Sequence, residues 1–191
     1  MLAIIADRLP VPDALVRSLL ALARAIDALN GGVGRAVSWL VLGAVLVSAG
    51  NALARYGLDL SSNAWLEIQW YLFSAIFLLA SGWTLQRNAH VRIDVLSSGY
   101  SPRARAWVDL AGSLLFLMPM ALLILYFSWP MFMQSYLGHE ISSDADGLVR
   151  WPVKLLIPLG FALLALQGVS EVIKRIAFLR GIANDSGLEP R

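Results

Sequence analysis

The chain contains no cysteine, which excludes disulfides, thiolate metal sites and cysteine nucleophiles. It is poor in charge: 15% of its 191 residues are Asp, Glu, Lys or Arg, against about a quarter in soluble domains. Histidine is nearly absent, with only His90 and His139 present. There is no Gly-rich phosphate loop, no Ser/His/Asp set and no His-Glu-x-x-His, so enzyme chemistry has no foothold. No strip of Lys and Arg with interleaved aromatics suggests nucleic acid. The opening MLAIIADRLPVPD has neither the basic start nor the apolar length of a secretion signal, so the chain is expected to be kept whole. No internal repeat is visible, which leaves inverted-repeat transporter architecture unsupported.

What the sequence does have is apolar length. It is 58% hydrophobic, with a mean hydropathy of +0.67. Four runs can each cross a bilayer, whose hydrocarbon core needs about 20 helical residues. They read as about 36–53, 64–86, 107–130 and 153–173. Small residues recur every four positions in the first (Ala44, Ser48, Ala52), giving a face that a neighbouring helix can approach closely. In the third, Ser101-Pro102 predicts the helix start, Arg105 and Asp109 form an i,i+4 pair, and Pro119 predicts a kink. In the fourth, Pro158 is expected in the first turn.

Ahead of these runs, Leu15, Leu19, Leu22, Ile26 and Leu29 recur at spacings of three and four from Pro12 to Asn30, while Arg17, Arg24 and Asp27 fall elsewhere. That pattern predicts an amphipathic helix lying in the interface and ending at Gly31-Gly32. The fold class is therefore an all-α membrane protein of four transmembrane helices plus an N-terminal amphipathic interfacial helix. Its expected parts are an arm over 1–35, a four-helix membrane domain over 36–176 and a polar, mobile tail over 177–191. Twelve basic residues fall on the side of the termini and three (Arg55, Arg150, Lys154) on the other. The positive-inside rule then puts both termini in the cytoplasm.

The second run, NAWLEIQWYLFSAIFLLASGWTLQRNAHVRID over 63–94, has polar residues at both ends of an apolar stretch. Glu67 is expected in the first helical turn, as an interfacial anchor or interhelical partner, with a coupling carboxylate the sharper alternative. Gln69 and Trp70 follow it. His90 and Asp94 are four apart and share a helical face, so they can hydrogen bond, with Arg92 between them. His139 falls on the opposite side of the membrane, which leaves neither a bis-histidine haem nor a zinc ligand set. No catalytic, cofactor or metal residue is therefore assigned. Glu67, Gln69, Trp70, His90, Arg92 and Asp94 are the candidate assembly or structural residues. Trp39, Trp65, Trp107 and Trp151 sit near the expected membrane boundaries as interfacial anchors. In the fourth run Gln167 and Glu171 share a face, and Glu171 to Arg175 is the favourable order for an ion pair.

A four-span chain with WLEIQWYLF at the second span and HVRIDVL after it resembles the small membrane subunit (DctQ type) of the tripartite ATP-independent periplasmic (TRAP) transporters. The segment 147–176 further resembles a branch associated with mannitol or chloroaromatic compounds. The resemblance implies a non-catalytic scaffold in a sodium-coupled organic acid uptake system in the bacterial inner membrane. A large multi-span permease would carry the substrate and sodium sites, fed by a periplasmic binding protein. Where the family often opens this span with two adjacent acids, the present chain has Glu67-Ile68, which puts any role for a second carboxylate in doubt. The rival reading is a self-sufficient proton-coupled exporter using Glu67 as its coupling carboxylate.

Overall fold

The computed structural model describes residues 13–59, 62–88 and 100–182. In chain order the helices are α1 (Asp13–Gly57), α2 (Asn63–Leu79), α3 (Ser81–Gln86), α4 (Pro102–Gly112), α5 (Met118–Leu137) and α6 (Trp151–Leu179). A single wide π turn, Ser113–Leu117, joins α4 to α5. Read as continuous segments, these make four helices long and apolar enough to cross a membrane: Leu15–Gly57, Asn63–Gln86, Pro102–Leu137 and Trp151–Leu179. The chain is thus a multi-pass all-helical membrane protein. His90, Arg92, Asp94 and the tail beyond Ile182 lie outside the described residues.

Local chemistry starts the helices. Ser62 Oγ accepts from the Ala64 amide at the head of α2. Ser101 Oγ accepts from Ala104 N, with Pro102 in the first turn of α4, as the Ser-Pro pair predicts. Pro119 stands just behind the π turn. Its ring would meet the carbonyl four residues back in a regular helix, and a wide turn is one way to accommodate it.

Two expectations are corrected. The first concerns α1, which is one helix of 45 residues and does not end at Gly31-Gly32. At 1.5 Å per residue it extends about 67 Å, more than twice an apolar core of about 30 Å. The glycines cost about 1 kcal/mol each in a helix. The residues around them are held by packing: Val16, Ala23, Asn30, Val37 and Ala44, each seven apart, are buried in one seam, joined by Ile26. Of the expected apolar stripe only Ile26 is buried, while Leu15, Leu22 and Leu29 are exposed on the flank. The seam takes small side chains because α6, α2 and α3 pack along it. The second correction is that α6 begins at Trp151, so Pro158 is interior and buried, and Pro152 takes the first turn.

The sixth helix is the centre of the bundle. Half of its apolar window is buried within the chain, against 11% for each of the other three spans. It packs on α5, α1, α2, α3 and α4. At Gly160 a Cβ would stand 2.7 Å from the Leu78 carbonyl oxygen. That point lies just before the irregular step at Ala80 between α2 and α3, so α6 and the α2/α3 segment touch backbone to backbone. Gly43 of α1, by contrast, has open space where a Cβ would go. Replacing Gly160 by Val is expected to lower unfolding stability in detergent by about 1–3 kcal/mol, the usual cost of overpacking. Gly43→Val should stay within about 0.5 kcal/mol of the parent, and equal melting temperatures for the two variants would refute the contact.

Candidate functional site: polar fastenings at the two ends of the bundle

The loop between α5 and α6 is a short hairpin. Ile141 and Val149 pair in an antiparallel bridge, Ser142 N donates to Leu148 O at 2.9 Å, and Arg150 N donates to Glu140 O at 2.9 Å. Its partner is Glu67, which lies one turn inside α2 rather than in the first turn and is 1% exposed. One carboxylate oxygen accepts from Ser142 Oγ and from Arg150 Nη2 at 3.4 Å, while the other accepts the Leu148 amide at 2.7 Å. Arg150 Nη2 also donates to Ser142 Oγ at 2.8 Å. A carboxylate out of water is tolerable only when its lone pairs are taken up by donors and a countercharge. Here the hairpin supplies both. Asn63 Nδ2 to Ala145 O (3.1 Å) and Tyr71 O–H to Val149 O (2.9 Å) add two further ties from α2.

The hairpin carries its own ion pair, Lys154 with Glu140. The Lys154 ammonium, hydrogen bonded to Glu140, holds that carboxyl below the usual carboxylate range, with Ser135 helping.

At the opposite end, where α1 begins and α6 ends, a second polar cluster lies against the apolar spans. Gln167 and Asn30 are both fully buried. Gln167 Nε2 donates to Asp27 Oδ1 at 2.8 Å and to Glu171 Oε1 at 3.2 Å. Because two carboxylates face that end of the amide, it must be the NH2 group, and the Gln167 oxygen must point the other way. There it accepts from Asn30 Nδ2 at 2.9 Å. The Asn30 oxygen is thereby turned to Gly82, where any Cβ would stand 2.3 Å from it. Lys174 Nζ bridges the acids, 3.2 Å from Asp27 Oδ2 and 2.6 Å from Glu171 Oε1, and Ser170 Oγ donates to Asp27 Oδ1 at 2.7 Å. Arg175, 4% exposed, continues the chain to Glu171 (3.7 Å) and to Asp109 of α4 (3.4 Å). One row of α6 side chains thus fastens α1 on one side and α4 on the other.

The family model for the DctQ component of tripartite ATP-independent periplasmic transporters matches residues 44–178, well over half of the chain. The chain belongs to the DctQ family. No curated protein and no solved structure matches it.

Within this DctQ-family chain the sequence-derived residues fall as follows. Glu67 and Gln69 are both in α2, but they serve different neighbours. Gln69 Nε2 donates to Ser48 Oγ of α1, whereas Glu67 holds the hairpin. Trp70 is exposed, as are Trp39 and Trp65. Trp107 packs against the small core of Ala106, Leu110 and Leu179, and Trp151 meets Tyr136 edge-on at 5.5 Å. The Glu171 to Arg175 pair forms as its spacing predicts. Sequence reasoning missed the hairpin donors Ser142, Leu148 and Arg150, together with Asp27, Asn30 and Ser170. A signal existed for the second group: Gln167, Ser170, Glu171 and Lys174 make a polar row at i, i+3, i+4 and i+7. Such a row on an apolar helix requires polar partners across it. Among the described residues no group of three His, Cys, Asp or Glu could hold a metal ion.

Two outcomes follow for the hairpin. Glu67→Gln keeps the shape but loses the charge that Arg150 faces, and should destabilise the hairpin by about 1–3 kcal/mol. This should be read as faster hydrogen exchange at the Leu148 amide with the helices unchanged; unaltered exchange would refute the latch. For Glu140 the folded pKa is depressed, so its contribution is present above the ordinary carboxylate pKa and is lost as pH falls through the lowered value. Hairpin protection should therefore hold as pH falls through the ordinary carboxylate range and decline only below it. Lys154→Gln should move that midpoint up towards the ordinary carboxylate value, and an unmoved midpoint would show that the pair is not felt.

Proposed function

We propose that this DctQ component is the stationary scaffold subunit of a sodium-coupled system for organic acid uptake in the bacterial inner membrane. It works with a large permease subunit that carries the substrate and sodium sites, and with a periplasmic substrate-binding protein. Both termini lie in the cytoplasm, and the Glu67 hairpin faces the periplasm.

One observation carries the reading beyond family membership. Each crossing runs on a stretch without Asp, Glu, Lys or Arg (36–54, 68–86, 110–137 and 155–170), while the described buried charges stand at the ends, Glu67 tied to the hairpin, Arg175 to Asp109 of α4 and Glu171 to Lys174 and Arg175 of its own helix. A chain that moved an ion or an organic acid by itself would need polar groups at mid-depth. Three spans that bury only 11% of their apolar windows within the chain suit a subunit whose faces are covered by lipid and a larger partner. The exporter reading draws no support from Glu67, whose oxygens are engaged by Ser142, Leu148 and Arg150.

The test is reconstitution. The tagged chain should copurify with a much larger membrane protein, and sodium-driven uptake in proteoliposomes should require both of them and the binding protein. His90→Ala or Asp94→Ala should lower recovery of the complex several-fold with little change in substrate affinity. Proton-coupled transport by the purified chain alone, abolished by Glu67→Gln, would replace this reading with the exporter.

A further inference from the structure

Two arginines stand apart from the polar fastenings. Arg35 of α1 and Arg87 at the end of α3 are exposed, and neither joins the ion pairs formed among the described residues. Each stands at the same kind of boundary: the uncharged run of the first span begins directly after Arg35, and that of the second ends directly before Arg87. The two helices meet there. A Cβ on Gly34 would fall 2.3 Å from the ring of Trp83, so that ring lies on the α1 backbone. The Arg87 guanidinium sits 5.2 Å from the centroid of the same ring. Arg35 reaches back one turn: its Nη1 lies 3.5 Å, and Gln86 Oε1 3.6 Å, from the point where a Gly31 Cβ would stand. Both guanidiniums thus border the seam between α1 and α3 at Trp83 and Gln86.

Directly towards the membrane from Arg35, the same face of α1 is apolar and open. Trp39, Leu42, Leu46 and Leu53 follow at helical spacings of four, three, four and seven, with exposures of 74%, 51%, 63% and 74%. Two guanidiniums at the seam and an apolar strip below them match one kind of molecule.

We infer that Arg35 and Arg87, on either side of Trp83, bind the phosphate of an anionic glycerophospholipid whose acyl chain lies along Trp39, Leu42, Leu46 and Leu53. Guanidinium groups recognise phosphate through paired N–H donors, and they are less strongly hydrated than ammonium groups, which suits the headgroup boundary. A soluble carboxylate or a free phosphate would answer the charge but not the strip beneath it. Basic pockets between helices on the cytoplasmic side are where anionic headgroups are attracted. The inference rests on the chain crossing a membrane, but not on its having a permease partner.

The experiment uses the full chain in detergent, titrated with phosphatidylglycerol or with phosphatidylcholine and followed by native mass spectrometry. One phosphatidylglycerol should be retained under conditions that strip phosphatidylcholine. Replacing Arg35 and Arg87 together by Gln should weaken that retention by about tenfold or more, from roughly fivefold per basic residue at a lipid surface. The pair Arg17→Gln and Arg24→Gln removes the same charge from α1 at a distance from the seam and should leave retention unchanged. Replacement of Arg35 and Arg87 by Lys keeps the charge without the fork and should give an intermediate loss. If the Gln variant fails to fold, a photoreactive phosphatidylglycerol on the unaltered chain decides the matter, with label expected on the peptides containing Trp39 and Trp83. Equal retention of the two lipids, equal loss in the Arg17 and Arg24 control, or label elsewhere would overturn the inference. Displacement of the lipid by millimolar glycerol phosphate would assign the site to a free phosphate and overturn the lipid. In the purified complex, cross-linking from position 39 to a protein in place of lipid would do the same.

Discussion

The fold depends on the Gln167 side chain having two unlike ends. Fully buried against the arm of α1, it can satisfy its amide only if donors and acceptors alternate around it. Asp27 and Glu171 fix its NH2 end, and that choice fixes the orientation of Asn30, which in turn presses its oxygen against Gly82. Three helices are registered by one amide. Moving α1 along α6 by a single turn, about 5.4 Å, would strand the Asp27 carboxylate and the Asn30 amide at once and leave Lys174 with Glu171 alone. Apolar packing alone imposes no such choice in lipid, where the tails are as apolar as the leucines. A polar row therefore sets the register, and the small residues of the seam allow the helices close enough to reach it.

How much of this was legible in the sequence differs element by element. The four crossings follow from apolar length, and the Ser101-Pro102 start of α4 from the chemistry of helix ends. The end expected at Gly31-Gly32 does not form, because tertiary contacts offset a local cost of about 1 kcal/mol per glycine. The arm's leucines mark its apolar side, whereas the positions buried against the other helices are Val16, Ala23 and Asn30. Periodicity identifies an apolar side of a helix, but not which part of it meets lipid and which meets a neighbour. Glu67 could be read as a residue in need of a partner. That its partners come from a hairpin some eighty residues later could not, since two of the donors are a serine and a backbone amide with no pattern of their own.

The two ends of the bundle solve the same electrostatic problem differently. At the Glu67 end, one carboxylate organises a loop, so the fastening is between a helix and a strap that water can reach. At the other end, acids and bases alternate in a chain from Asp27 of α1 through Lys174, Glu171 and Arg175 of α6 to Asp109 of α4, so the fastening is between rigid elements. Protonation or loss of Glu67 frees a hairpin and leaves the spans in place. Loss of Asp27 or Gln167 uncouples the spans themselves.

That asymmetry bears on what the subunit can do in transport. The stationary role proposed above requires a subunit that resists sliding of its helices. In this chain α6 is pinned to α1 through Asp27, Gln167, Ser170 and Lys174, to α4 through Arg175, and to α2 through Arg150 and the hairpin. The ties lie at both ends of the same central helix, so neither a tilt about one end nor a shift along the axis leaves all of them intact. Packed cores and polar registers change between discrete arrangements rather than by continuous sliding. A bundle fastened in this way supports a stationary role, and it leaves the outer faces of α1, α2 and α5, which carry no such ties among their exposed apolar residues, as the surfaces available to lipid and to a larger partner.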